Sequence, residues 1–215
     1  MASSARPPEV LRVAIFAKAP VPGTVKTRLV PRLGDAGAAR LHAALVRNAL
    51  ATAKAAGVGL VELWCAPSTT HAFFAECARD TEVSLHAQAE GDLGARMQAA
   101  FARAHALGAG LVLIGSDCPA LTASCLRHAA MALASTPAAI APAEDGGYAL
   151  IALAAPCPAL FDAMPWGSDR VMAETRRRLA ASRTPWTELA TTWDVDRPED
   201  YDRLLASGLL DGVAA

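Results

Sequence analysis

Long apolar runs are missing from this chain. It has no stretch of about 18 uninterrupted apolar residues, so no membrane-spanning helix is expected. Residues Met1 to Glu9 are polar and contain prolines, and they lack the apolar core of a signal peptide. An excess of charge is missing too: 20 basic residues stand against 21 acidic ones, for a net charge of −1. That excludes broad electrostatic binding to nucleic acid or an anionic membrane, and leaves room for a local basic site holding a small anion. Paired cysteines are also lacking. The five cysteines form no C-x-x-C pair, which points to unbridged thiols in a reducing cytosol. Without repeats, low-complexity tracts or linkers, the 215 residues read as one domain over 11–208, with loose ends at 1–10 and 209–215.

What is present is alternation. Apolar runs and amphipathic stretches follow one another from end to end, in a chain that is 53% hydrophobic. Strands are expected at about 11–17, 59–65, 82–87, 111–115, 138–141, 148–153 and 186–190. Helices are expected at about 35–56, 69–79, 92–107, 122–134 and 168–182, with a last one from Pro198 to near Ser207. The run Leu111-Val112-Leu113-Ile114-Gly115 has the character of a central strand buried on both faces. The pattern predicts a three-layer α/β/α sandwich, its sheet mostly parallel with right-handed crossovers. Asp145-Gly146-Gly147 separates two apolar strands closely enough for one late strand to run antiparallel.

Polar residues gather at the ends of the predicted strands. After the first strand come Lys18, Ala19, Pro20, Val21, Pro22, Gly23, Thr24, Val25, Lys26, Thr27 and Arg28: three cations, two prolines and a glycine in eleven residues. Such a loop is placed to hold an anion at the carboxyl end of a parallel strand. It is not a Walker A loop, because Val25 and not glycine precedes Lys26-Thr27, and it is not a G-x-G-x-x-G fingerprint. Asp117, in Gly115-Ser116-Asp117-Cys118-Pro119, ends the most hydrophobic strand and is a candidate ligand for Mg²⁺ or Mn²⁺. In Asp194-Val195-Asp196 the two acids alternate ahead of the last helix, and Asp196 is the candidate second metal ligand. Asp145, with Glu144 as the alternative, is a candidate for orienting or deprotonating an acceptor, with Gly146 and Gly147 allowing close backbone approach. Gly91, Asp92, Gly94 and Arg96 are candidates for contact with a nucleoside and its phosphates, although Asp92 also suits a helix cap. Trp166, before a helix start, is placed to stack on a sugar or base. The five histidines show no ligand spacing and read as surface or core residues.

Taken in order, these segments resemble a family of bacterial GT-A-type glycosyltransferases of about 200 residues, associated with radical SAM and selenium-domain gene clusters and some with arsenosugar biosynthesis. The resemblance rests on Phe16-Ala17-Lys18-Ala19-Pro20, Pro22-Gly23, Lys26-Thr27-Arg28-Leu29, Gly91-Asp92-Leu93-Gly94 with Arg96-Met97, Gly115-Ser116-Asp117-Cys118-Pro119, Asp145-Gly146-Gly147-Tyr148, Pro165-Trp166 and Asp194-Val195-Asp196 with Pro198-Glu199-Asp200. It implies a nucleotide-diphospho-sugar transferase fold. Lys18, Lys26 and Arg28 would then hold the nucleotide phosphates, with Ala17, Gly23 and Thr27 among the substrate-binding residues, and Asp117 and Asp196 would share a divalent cation. The expected activity is metal-dependent transfer of a sugar from a nucleotide-diphosphate sugar to a small-molecule acceptor, in the cytoplasm. Asp117, Asp145 and Lys26 would act on the reacting groups. Nucleotidyl transfer from an NTP with pyrophosphate release is the alternative, and a non-catalytic nucleotide-binding protein the second. The loop has fewer glycines before its Thr-Arg than the common nucleotidyltransferase loop and lacks the lysine after it, which favours glycosyl transfer.

Overall fold

A buried strand with apolar residues on both sides needs cover on both faces, and the chain provides it. The computed structural model describes residues 10–210. Of the expected loose ends at 1–10 and 209–215, residues 1–9 and 211–215 lie outside the described residues, and Val10 opens the first strand. Seven strands form one sheet: β1 (Val10–Lys18), β2 (Leu60–Ala66), β3 (Ser84–Ala87), β4 (Ala109–Gly115), β5 (Ala138–Pro142), β6 (Tyr148–Leu153) and β7 (Trp186–Glu188), in the order β3-β2-β1-β4-β6-β5-β7. β6 alone runs antiparallel, inserted between β4 and β5. The hairpin around Asp145-Gly146-Gly147 produces that reversal.

Side chains alternate across the sheet as the pleat requires. On one face Val13 and Ile15 of β1, with Val112 and Ile114 of β4, pack under α1 (Val30–Ala56), α2 (Ala72–Thr81) and α4 (Ala123–Ala132). On the other, Ala14, Phe16, Leu111 and Leu113 pack under α3 (Leu93–Ala106) and α5 (Val171–Ala181). A third cluster of Leu29, Leu45, Trp193, Val195 and Leu204 seats α6 (Pro198–Ser207). This is the expected α/β/α sandwich with a mostly parallel sheet.

Several element ends differ from expectation. α1 begins at Val30 with Pro31 in its first turn, and its backbone is interrupted at Gly34, so the unbroken part starts near the expected 35. α2 begins at Ala72, because His71 caps it by accepting from the Phe73 N–H. α5 begins at Val171 and not Ser168: the Ser168 hydroxyl closes a turn onto the Pro165 carbonyl at 2.7 Å. β7 keeps only the first three of its expected residues.

β1 and β4 are neighbours in the sheet, yet α1 leaves β1 into one layer while α3 enters β4 from the other. Their carboxyl ends therefore open a crevice, the place where open α/β sheets bind ligands. The segment after Thr192 runs alongside. Thr192 donates its N–H to Pro142 O, and the Val195 N–H donates to Asp117 O at 2.9 Å.

Candidate functional site

The β1 loop and the end of β4 meet at Lys26. The Lys26 backbone is left-handed (φ 49°, ψ 41°) and starts a 3-10 turn over Thr27–Leu29. Val25 and Leu29 are buried on either side and anchor the loop. The Lys26 side chain is only 4% exposed, and its Nζ lies 2.9 Å from Oδ1 of Asp117 and 2.9 Å from Oδ1 of Asp196. Arg28 reaches Oδ2 of Asp196 at 3.4 Å from a largely exposed position. Burial pulls the Lys26 ammonium toward the neutral form, but the two carboxylates outweigh it and its pKa is raised. Burial of Asp117 acts in the opposite sense to Lys26 and His42, and those two prevail, holding its carboxyl below the usual range.

His42 escaped the sequence reading. It sits in α1, buried, with Nε2 3.0 Å from the Lys18 carbonyl oxygen. A carbonyl only accepts, so Nε2 carries the proton there. The other nitrogen, Nδ1, faces Oδ1 of Asp117 at 3.7 Å. No spacing signal marks this histidine, because its role comes from which strand its helix crosses.

Two clefts share this centre. The first, of about 670 Å³, is lined by Ala17, Lys18, Lys26, Thr27 and Arg28, and across from them by Gly91, Asp92 and Arg96, with Asp117 and Asp196 at its floor. Its size suits a nucleotide. Gln88 also lines it: its side-chain amide donates to the Trp64 and Ala17 carbonyls, at 2.8 and 3.3 Å. Asp92 caps α3 by accepting from the Ala95 N–H at 2.8 Å, and Arg96 donates to the Gly91 carbonyl at 3.1 Å.

The second cleft, of about 480 Å³, shares Arg28 and Asp196 with the first and adds Asp145, Asp169 and Asp194. Asp145 accepts from the Gly147 N–H at 2.8 Å. Burial, with Asp145 and Asp196 nearby, raises the Asp194 carboxyl to about 6. Glu144 is engaged by Arg203 through two contacts of 2.8 and 3.2 Å, which leaves Asp145 as the freer acid of the pair.

Gly23, Gly94, Gly146, Gly147 and Trp166 line neither cleft. Packing accounts for two of these glycines. A Cβ on Gly94 would stand 2.5 Å from Phe161 O and 2.8 Å from Trp166 Nε1, and one on Gly146 would stand 2.2 Å from Asp169 O.

The donor set fits a divalent cation. Two hard carboxylate oxygens converge on one point, and Oδ1 of Asp117 is shielded from solvent. Mg²⁺ and Mn²⁺ accept one or two carboxylates and complete their shells with substrate phosphates and water. Among the described residues no group of three or more His, Cys, Asp or Glu side chains is arranged to hold a metal, so phosphate oxygens would have to complete the shell.

Fold and crevice together define the nucleotide-diphospho-sugar transferase class of α/β sandwich. The chain belongs to DUF2064, a family of uncharacterized proteins conserved in bacteria, whose profile matches residues 49–168. Among solved structures, it is 31% identical to a provisionally named nucleotide-diphospho-sugar transferase from Desulfovibrio desulfuricans G20, with a TM-score of 0.84 over 92% of this chain and 87% of that one. A nucleotidyl transferase from Methanothermobacter thermautotrophicus superposes with a TM-score of 0.67 at 15% identity, covering 94% and 99% of the two chains. Rv0371c from Mycobacterium tuberculosis H37Rv, in its manganese complex, superposes with a TM-score of 0.52 at 21% identity, covering 92% and 98%. No curated protein matches the sequence.

Proposed function

We propose that this protein transfers a sugar from a nucleotide-diphosphate sugar to a small polar acceptor. One observation carries the reading: the cation-lined cleft and the acidic cleft join at Asp196 and Arg28. A donor held in the first would present its sugar to an acceptor held in the second. The 31% identity to the Desulfovibrio protein supports the donor class.

Lys18, Arg28 and Arg96 attract the diphosphate, and the backbone at Ala17 and Gly91 borders the nucleoside. Asp117 and Asp196 would hold a divalent cation, which supplies charge compensation to the departing diphosphate. The manganese complex of Rv0371c agrees with that choice of metal. Asp145, on the acceptor side, orients the attacking hydroxyl and takes its proton; Asp194 beside it, with its raised pKa, is the second acid in reach. A cytoplasmic location belongs to the same reading. Arsenosugar-type acceptors, implied by the resemblance, are the first to assay.

The test is product analysis with UDP-, GDP-, CDP- and ADP-sugars and with NTPs plus sugar phosphates, each with Mn²⁺ and Mg²⁺. Release of a nucleoside diphosphate is the expected result. Pyrophosphate release would assign nucleotidyl transfer instead. Tight nucleotide binding with neither product would make the chain a binding protein.

A further inference from the structure

We propose that Lys26 is the resident cation of the Asp117–Asp196 pair, and that it yields this position to a divalent ion only when a diphosphate is bound. The proposal rests on the nucleotide reading of the first cleft and adds an order of events to it.

Geometry makes the two cations exclusive. Nζ of Lys26 lies 2.9 Å from one oxygen of each aspartate. These are the oxygens a divalent ion would draw in to about 2.0–2.1 Å. An ammonium with no lone pair to offer cannot share that point with a metal. The ammonium is also well held. Its side chain is 4% exposed, its backbone is in the left-handed region, and Val25 beside it is 4% exposed. Non-glycine residues adopt that conformation rarely, and here the two ion pairs accompany it.

Eviction without a new partner is unfavourable. A metal arriving alone would gain two carboxylates and leave the ammonium in a cleft already lined by Lys18 and Arg28. A diphosphate changes both sides of the exchange. It offers Lys26 anionic oxygens a short swing away, and it offers the metal the ligands that two aspartates cannot supply. Diphosphate and metal therefore bind with positive coupling, and each must raise the affinity for the other by the same factor. Lys26 moves from carboxylate to phosphate as the site fills, and the loop from Pro20 to Arg28 follows its anchor.

The experiment titrates Mn²⁺ alone into wild type, Lys26→Met and Lys26→Arg, reading the free Mn²⁺ signal by electron paramagnetic resonance. Lys26→Met should bind Mn²⁺ about tenfold or more tighter than wild type, whereas Lys26→Arg, which keeps a cation, should stay near wild type. Equal affinity of wild type and Lys26→Met, whether tight or too weak to measure, overturns the proposal. Thermal melting guards against misfolding: Lys26→Met, with two uncompensated carboxylates, should melt low and recover with Mn²⁺ more than wild type does. A second arm repeats the wild-type titration with inorganic pyrophosphate, corrected by the same titration without protein. Tighter Mn²⁺ binding supports the coupling, and unchanged binding overturns it. Failure of the transferase reading is distinct: the Lys26→Met result would stand while no nucleotide sugar is turned over.

Discussion

At the scale of single residues, the centre is a balance of charges around Asp117. Its side chain is 45% exposed, but Oδ1 is buried against Lys26 and His42 while the rest opens to the cleft. Asp117→Asn keeps the shape and removes the charge. Turnover should fall about 10²–10³-fold, the loss typical of one electrostatic group acting on a developing charge. The fold should survive, because Asp196 still pairs Lys26. Steady-state rates and a thermal melt of the purified variant check both halves, and wild-type rates would remove Asp117 from the chemistry. The sequence made Asp117 and the Lys18–Arg28 loop legible because each sits at the end of a strongly apolar strand. It did not show that Lys26 stands between the two aspartates. The Asp117 and Asp196 segments meet through the Val195 N–H to Asp117 O hydrogen bond and the contact of Cys118 Sγ with the Trp193 carbonyl, long-range pairings that leave no local pattern. His42 was hidden for the same reason.

At the scale of elements, strand positions were readable from apolar runs, and helix starts less so. Ser168, as expected of a small hydroxyl residue, bonds to backbone, but here it closes a turn and does not cap a helix; both uses share one sequence signal. Gly94 shows a different ambiguity. A glycine near a helix start reads equally as close approach by a ligand or by another segment, and here the segment is Pro158–Trp166. Gly94→Ala would force its Cβ against Phe161 O and Trp166. It should destabilise the protein by about 1–3 kcal/mol, measured by urea unfolding with an unchanged slope; no loss would mean that the segment yields freely.

That segment is clasped from α5. Arg178 donates to the carbonyls of Ala159 and Ala163 and is steadied by Glu174, which also takes two 2.7 Å hydrogen bonds from Arg177. These arginines depress the Glu174 carboxyl from 4.5 to about 2. A depressed carboxyl contributes stability above its unfolded pKa and loses it as pH falls toward the folded one. Wild type should therefore lose stability between pH 4.5 and about 2 more steeply than Glu174→Gln. Melting temperature against pH tests this, and parallel curves would refute it.

At the scale of the whole molecule, the cleft draws on Ala17, Asp117 and Asp196, and so on nearly the full length of the described chain. No fragment can assemble it. β1 and β4 supply the crevice, and the segment tied to Pro142 and Asp117 supplies the late acid. A ligand that bridges these parts binds the native state alone, and its binding free energy appears as global stability. At one hundred times its dissociation constant a nucleoside diphosphate adds about 2.7 kcal/mol. In a chain of this size that is a rise in melting temperature of roughly 5–10 °C. A panel of UDP, GDP, CDP and ADP, with and without Mn²⁺, should give such a shift for at least one base, larger with the metal. No shift from any of them would count against a nucleotide site. Salt separates the contributions within the same panel. Arg28 is 66% exposed and Lys26 4%, and only exposed charges are strongly screened. Raising the salt concentration should reduce the shift through Arg28 and leave the part carried by Lys26.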